Sequence, residues 1–137
     1  MVVKMIVGIG CDIVRVSRMS KIVPVFKKGM QQHILSPYEQ QELEDQEPND
    51  DKISRFLAKR FAAKEALSKA LGTGFIEGMY LKDITIKHDD LGKPYFELEG
   101  GTLDKLLEKT NNQDFKVHLS LSDDADLAQA FVIVELL

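Results

Sequence analysis

Apolar and polar positions change period several times along this chain, and each change marks an element. The run "KMIVGIG" is short, continuous and apolar, which predicts a buried strand over 4–10. From about Val16 the spacing turns helical, with basic residues interleaved and Pro24 as a kink or boundary. "SPYEQQELED" opens a short helix: Ser36 is the N-cap, Pro37 takes the first turn and Glu39 completes a capping box. After the loop "EPNDD", Asp50 or Asp51 caps the longest helix, which runs to about Leu71 and stops at Gly72.

The second half reads mainly as strands. "ITIKH" and "YFELE" flank "DDLGKP", a turn rich in Asp, Gly and Pro, and so form a hairpin. "TLDKLLEKT" is a short amphipathic helix, "KVHLSLS" alternates strictly, and "LAQAFVIVEL" is a near-continuous apolar strand after the turn "DDAD". The order β-α-α-α-β-β-α-β-β predicts an α+β fold, a mainly antiparallel sheet packed with one long central helix and shorter helices. No repeat or low-complexity linker divides the 137 residues, so a single domain over 1–137 is expected.

Composition narrows the class. A 44% hydrophobic and 29% charged chain is globular, and the single cysteine, Cys11, excludes an intrachain disulfide and a cysteine-rich zinc site. No run approaches the ~20 apolar residues of a membrane span, and the short apolar N-terminus has no cleavage signature. A soluble cytoplasmic protein is expected. The net charge of −4 is unevenly spread. Arg15, Arg18, Lys21, Lys27 and Lys28 form a stretch without acids, whereas seven acids and no lysine or arginine lie between Glu39 and Asp51. A basic helix face on an acidic protein points to an acidic partner at one place, or to a solvated face. The sequence pI of about 5.4 and the shortage of aromatics among the basic residues argue against nucleic acid.

Candidate chemistry sits on the long helix. On a helical wheel Ile53, Phe56, Leu57, Leu67 and Leu71 form an apolar stripe that also contains Arg60 and Lys64. Those two cations are expected to snorkel, packing their stems while the heads reach water. Glu65 and Lys69 lie four apart on another face, as a surface ion pair or as groups aimed at a ligand. In "GIGCD", two glycines allow close approach of a backbone or a ligand, and Asp12 follows as a turn residue, a helix cap or a ligand-binding carboxylate. The dinucleotide fingerprint fails, because Ile13 stands where its third glycine belongs. On "KVHLSLS", Val117, Leu119 and Leu121 share one face and His118, Ser120 and Ser122 the other. Two carboxylates from separate segments, with arginine and lysine nearby, suit Mg²⁺ and phosphate chemistry.

"GIGCDIVRVSR", "RFLAKRFAAKEALSKALGTG", "DDLGKPYFEL" and "VHLSLSDD" together resemble the short bacterial phosphopantetheinyl transferases, the holo-acyl-carrier-protein synthase family. The resemblance covers nearly the whole chain; Cys11 departs from it, since an apolar residue is usual there. It implies the 4′-phosphopantetheinyl transferase fold and transfer of 4′-phosphopantetheine from coenzyme A to a serine of apo-acyl carrier protein. Adenosine 3′,5′-bisphosphate leaves, and the holo-carrier supports fatty acid biosynthesis. It also implies a homotrimer with active sites between subunits, and no membrane or nucleic-acid partner. Residue by residue, it implies that Asp12 and Glu65 hold Mg²⁺, with Mn²⁺ as an alternative, and that Lys69 holds the pyrophosphate and protonates the leaving group. Arg60, Lys64, Ser68, Lys69, Gly72, Gly92, Lys93, Pro94 and His118 would line the coenzyme A site. Arg18, Lys27 and Lys28 would dock the acidic carrier. Activation of the carrier serine falls to Glu65 or to a metal-bound water.

Overall fold

The computed structural model describes residues 4–46 and 49–137, and for residues 22–28, 30 and 31 the backbone alone. Strand β1 (Met5–Arg15) leads directly into α1 (Val16–Ile34), which is followed by α2 (Pro37–Glu44) and α3 (Asp50–Leu71). A short 3₁₀ turn (Leu81–Asp83) precedes the hairpin β2 (Ile84–His88) and β3 (Pro94–Leu98), then α4 (Gly100–Lys109), β4 (Phe115–Asp124) and β5 (Leu127–Leu136). The strands form two antiparallel sheets, a three-stranded one in the order β1-β5-β4 and the two-stranded hairpin β2-β3. This is the expected α+β architecture, with the expected order of elements.

Helix α3 lies across the three-stranded sheet. Fourteen of its 22 residues are buried, so it packs on nearly every side instead of along one stripe. Its contact with β1 is made by the smallest residues available. A Cβ added at Gly10 would stand only 1.8 Å from the carbonyl oxygen of Ala66, and one at Gly8 2.1 Å from that of Ala70. Glycine on the strand and alanine on the helix therefore let the two backbones touch. The approaching group at these glycines is the helix itself.

Several boundaries differ from the sequence reading. Strand β1 continues five residues beyond Gly10, because β5 offers partners as far as Leu127, which pairs with Arg15. Asp12 accordingly sits inside a strand, opposite Ala130, and neither caps a helix nor makes a turn. The start of α1 is held from the other end of the chain: Asp126 accepts from the backbone N–H and the hydroxyl of Ser17. The cap of α3 is Asn49, whose side chain accepts from Lys52 N, while Asp50 and Asp51 occupy the first turn and favour the helix dipole. The Ser36–Glu39 capping box and the left-handed Gly72 at the end of α3 are as expected. Helix α1 runs on through Pro24, which is no boundary.

Candidate active site

The β1–α3 seam fixes the candidate site. Inward positions of β1 run Gly8, Gly10, Asp12, so the strand that presses glycine on Ala66 and Ala70 next presents a carboxylate to the same helix. There it meets Lys69, whose ammonium lies 2.9 Å from Asp12 Oδ1 and 3.0 Å from the carbonyl oxygen of Cys11. Hydrogen bonding to Asp12 raises the Lys69 pKa. One turn earlier, burial raises the Glu65 pKa, and the nearby Asp12 carboxylate adds to the shift against the opposing pull of Lys69 and Arg18. Two carboxylates near enough to repel, beside a cation half open to solvent, leave a place where further positive charge is welcome.

Arg18 of α1 reaches this corner, its guanidinium 5.7 Å from the centre of the Phe61 ring. With Met19, Phe61, Phe75, Met79 and Tyr80 it lines an apolar groove of about 620 Å³ to which Glu65 also contributes. Sequence reading found Arg18 as a charge but missed this groove, since its walls come from α1, α3 and the segment after Gly72. Lys27 and Lys28 have side chains outside the described residues.

The expected coenzyme A residues divide. Arg60, Gly92 and Pro94 meet, with Lys59, His88 and Asp123, around a polar crevice of about 170 Å³. Arg60 is 5% exposed; its Nη2 lies 3.1 Å from Glu42 Oε1 and its guanidinium 3.6 Å from the centre of the Phe56 ring. Burial lowers its pKa, against the pull of Glu42 and Glu39. Lys93 is exposed on the same turn, its N–H held by Asp89. His118 lies on the outward face of the three-stranded sheet, 2.8 Å from Glu135.

Lys64 and Ser68 both have side chains inside the fold. Lys64 is fully buried, and its ammonium donates to Glu39 and to the carbonyl oxygen of Ile34. Its head does not snorkel to water and no ligand can reach it; burial lowers its pKa to about 8 in spite of Glu39. Ser68 is also enclosed, its hydroxyl donating to the Glu65 carbonyl within the helix. Lys59 is the cation that sequence reading missed; it was one of several lysines on α3 until the fold set it beside the hairpin turn.

Similarity to known proteins follows this geometry. A family model described as "4′-phosphopantetheinyl transferase superfamily" matches residues 8–131. A holo-[acyl-carrier-protein] synthase of Dechloromonas aromatica is 47% identical over 131 residues, covering 96% of this chain and 98% of the relative. The crystal structure of holo-[acyl-carrier-protein] synthase from Neisseria meningitidis aligns with a TM-score of 0.80 at 41% identity, over 95% of this chain and 98% of that one. A synthase of Bacillus anthracis in complex with CoA (3′,5′-ADP) aligns with a TM-score of 0.78 at 33% identity, over 97% and 99%. The family match spans the seam, the hairpin turn and most of the outward sheet face, and the chain belongs to the 4′-phosphopantetheinyl transferase superfamily.

Proposed function

We propose that this chain is a holo-acyl-carrier-protein synthase, one catalytic domain over 1–137. It moves 4′-phosphopantetheine from coenzyme A to a serine of apo-acyl carrier protein for fatty acid biosynthesis. The observation that carries the reading is the meeting of Asp12, Glu65 and Lys69 at the β1–α3 seam of a chain with synthase relatives. In the reaction the serine oxygen bonds to the phosphorus bearing the pantetheine arm. The bond from that phosphorus to the bridging oxygen breaks, and adenosine 3′,5′-bisphosphate departs. Lys69 is placed to hold the pyrophosphate and to give a proton to the leaving phosphate. Glu65 stands at the same corner as the carboxylate for receiving the serine proton.

The donor set fits Mg²⁺. Among the described residues no three His, Cys, Asp or Glu side chains cluster as a metal cage, but Mg²⁺ commonly takes one or two carboxylates and completes its shell with water and substrate phosphates. Asp12 and Glu65 would hold it, or Mn²⁺, and the ion would neutralise pyrophosphate charge and polarise the attacked phosphorus. The Lys69 ammonium already stands at Asp12 as a cation.

The same reading makes the active site a shared one. Arg60 and Glu65 are about 140° apart around α3, so the crevice at Arg60 and the seam at Glu65 open on different sides of one copy. Coenzyme A that meets both sets of residues bridges two copies. The outward sheet face offers the contact: Ile9, Ile13, Leu127 and Phe131 are each 40% exposed or more. An apolar face of this kind marks an interface. A closed homotrimer satisfies both features. Arg18, beside the apolar groove, receives the acidic carrier, and Lys27 and Lys28 are assigned to the same task from the resemblance alone. No described helix is long and apolar enough to cross a membrane, and we place the enzyme in the cytoplasm.

Mass spectrometry of apo-carrier protein incubated with coenzyme A, Mg²⁺ and this protein tests the activity; the expected result is the gain of one phosphopantetheine mass. An unmodified carrier under conditions where a known synthase works would refute the reading. Light scattering tests the assembly, and an active monomer would exclude the shared site.

A further inference from the structure

Glu39 makes more contacts than a capping residue needs. The capping box uses one oxygen, Oε1, which accepts from the backbone N–H of Ser36. The same oxygen accepts from Lys64. The other, Oε2, accepts from the backbone N–H of Ile86 at 3.0 Å and lies 3.9 Å from Arg60 Nε. Strand β2 pairs with β3 on one edge only, and Glu39 meets the other. The carboxylate is fully buried, so each of these contacts is made away from water, where its loss costs most.

The two contacts of Oε2 lead to the two walls of the polar crevice. One wall is Arg60, held by Phe56 and Glu42, its buried Nε making no hydrogen bond but facing Glu39 Oε2 as an ion pair. The other is the turn that carries Gly92 and Pro94, reached from Ile86 through the rest of β2. A capping box alone requires none of this.

We propose that Glu39 is a positioning residue for coenzyme A: one carboxylate locks Arg60 and the β2–β3 turn at a fixed separation, so that the crevice is preformed for its ligand. The proposal rests on the reading that this crevice receives part of coenzyme A. It assigns to α2 a part in substrate recognition without contact with substrate.

The test is steady-state kinetics of Glu39→Gln, which keeps the shape and one of the two acceptor oxygens, sets an NH₂ against the donors on the other side, and weakens the hold on Lys64 and Arg60. KM for coenzyme A is expected to rise about tenfold with kcat within about twofold, as for loss of binding that is equal in ground and transition states. KM for the carrier protein is expected to stay put. Lower thermal stability with unchanged KM for coenzyme A would mean that Glu39 only supports the fold, and would overturn the proposal. Should Glu39→Gln alone not fold, the pair Glu39→Gln with Lys64→Met removes the buried ammonium, and the same rise in KM is expected of it. Arg60→Gln separates the two layers of the argument. If it leaves KM for coenzyme A unchanged, the crevice reading is wrong. If it raises KM while Glu39→Gln does not, the crevice stands and the positioning role falls.

Discussion

Lys64 and Glu65 are neighbours in the chain and opposites in environment. Lys64 points into the molecule, where Glu39 and the Ile34 carbonyl hold its ammonium away from water. Glu65 points to the seam, beside Asp12 and Lys69, and lines an open groove. At Lys64 the charge is satisfied within the chain. On the outer face two carboxylates share one corner with a cation that is half exposed. A charge on a helix therefore becomes a candidate for chemistry when its partners leave room for a further charge, and becomes part of the core when they do not.

That contrast can be broken experimentally, beginning with the outer face. Asp12→Ala and Glu65→Ala are each expected to cut turnover by at least on the order of 10²–10³-fold, with circular dichroism unchanged. Raising coenzyme A should not rescue either variant. Near-normal turnover by either one in the presence of a chelator would remove the charge clamp from the mechanism.

The inner face should respond in stability. Lys64→Met leaves Glu39 buried without its cation, and a cost of about 3–5 kcal/mol in urea unfolding is expected. Adding Glu39→Gln should return a large part of it. A loss under about 1 kcal/mol for the single variant would place Lys64 among ordinary surface charges.

Arg18→Glu tests whether the outer face extends onto α1. Carrier affinity is expected to fall by about 0.2–1 kcal/mol if the contact is exposed and by more if it is desolvated, while coenzyme A affinity holds. The deficit should shrink as salt rises, since the native chain has more attraction to screen. Loss of both affinities together would show that the residue serves the seam and not the carrier.

The smallest effect belongs to an exposed cluster. Burial works to raise the Asp123 pKa, but hydrogen bonds from Lys59 and Arg55 outweigh it and the net shift is downward. A depressed carboxylate stabilises the fold at pH values above its ordinary pKa, and that contribution is lost as acid protonates it. Asp123→Asn should therefore cost about 0.2–1 kcal/mol near neutral pH and nothing once the pH falls below the folded pKa. A cost that persists unchanged in acid would assign the effect to packing.

Local chemistry made some of this readable in the sequence. Ser36 and Glu39 are three apart, so their capping box needs nothing beyond α2, and Gly72 ends α3 by its own left-handed conformation. Asp12, Glu65 and Lys69 were legible because the family resemblance named them together. The wheel placed Arg60 and Lys64 on the buried stripe but could not show what met them there. Glu39 lies 25 residues before Lys64, and only the folded chain brings the two together. The length of β1 was hidden for the same reason, since its last five residues are extended by pairing with β5 at the far end of the chain.

The bare contact of Gly8 and Gly10 with Ala70 and Ala66 also bears on how this protein can vary. Every replacement for glycine adds at least a Cβ, and at these positions that atom would fall within 2.1 Å of a helix carbonyl oxygen. No smaller residue exists to retreat to, and no rotamer change relieves a clash between backbones. Ile9 between them is open to solvent in the single chain and answers to different demands. Drift in sequence can thus rework the groove, the crevice and the outer sheet face by small steps, while the distance between Asp12 and the α3 residues stays a property of two bare backbones. The candidate site at the seam is insulated from mutations that rework the surfaces around it.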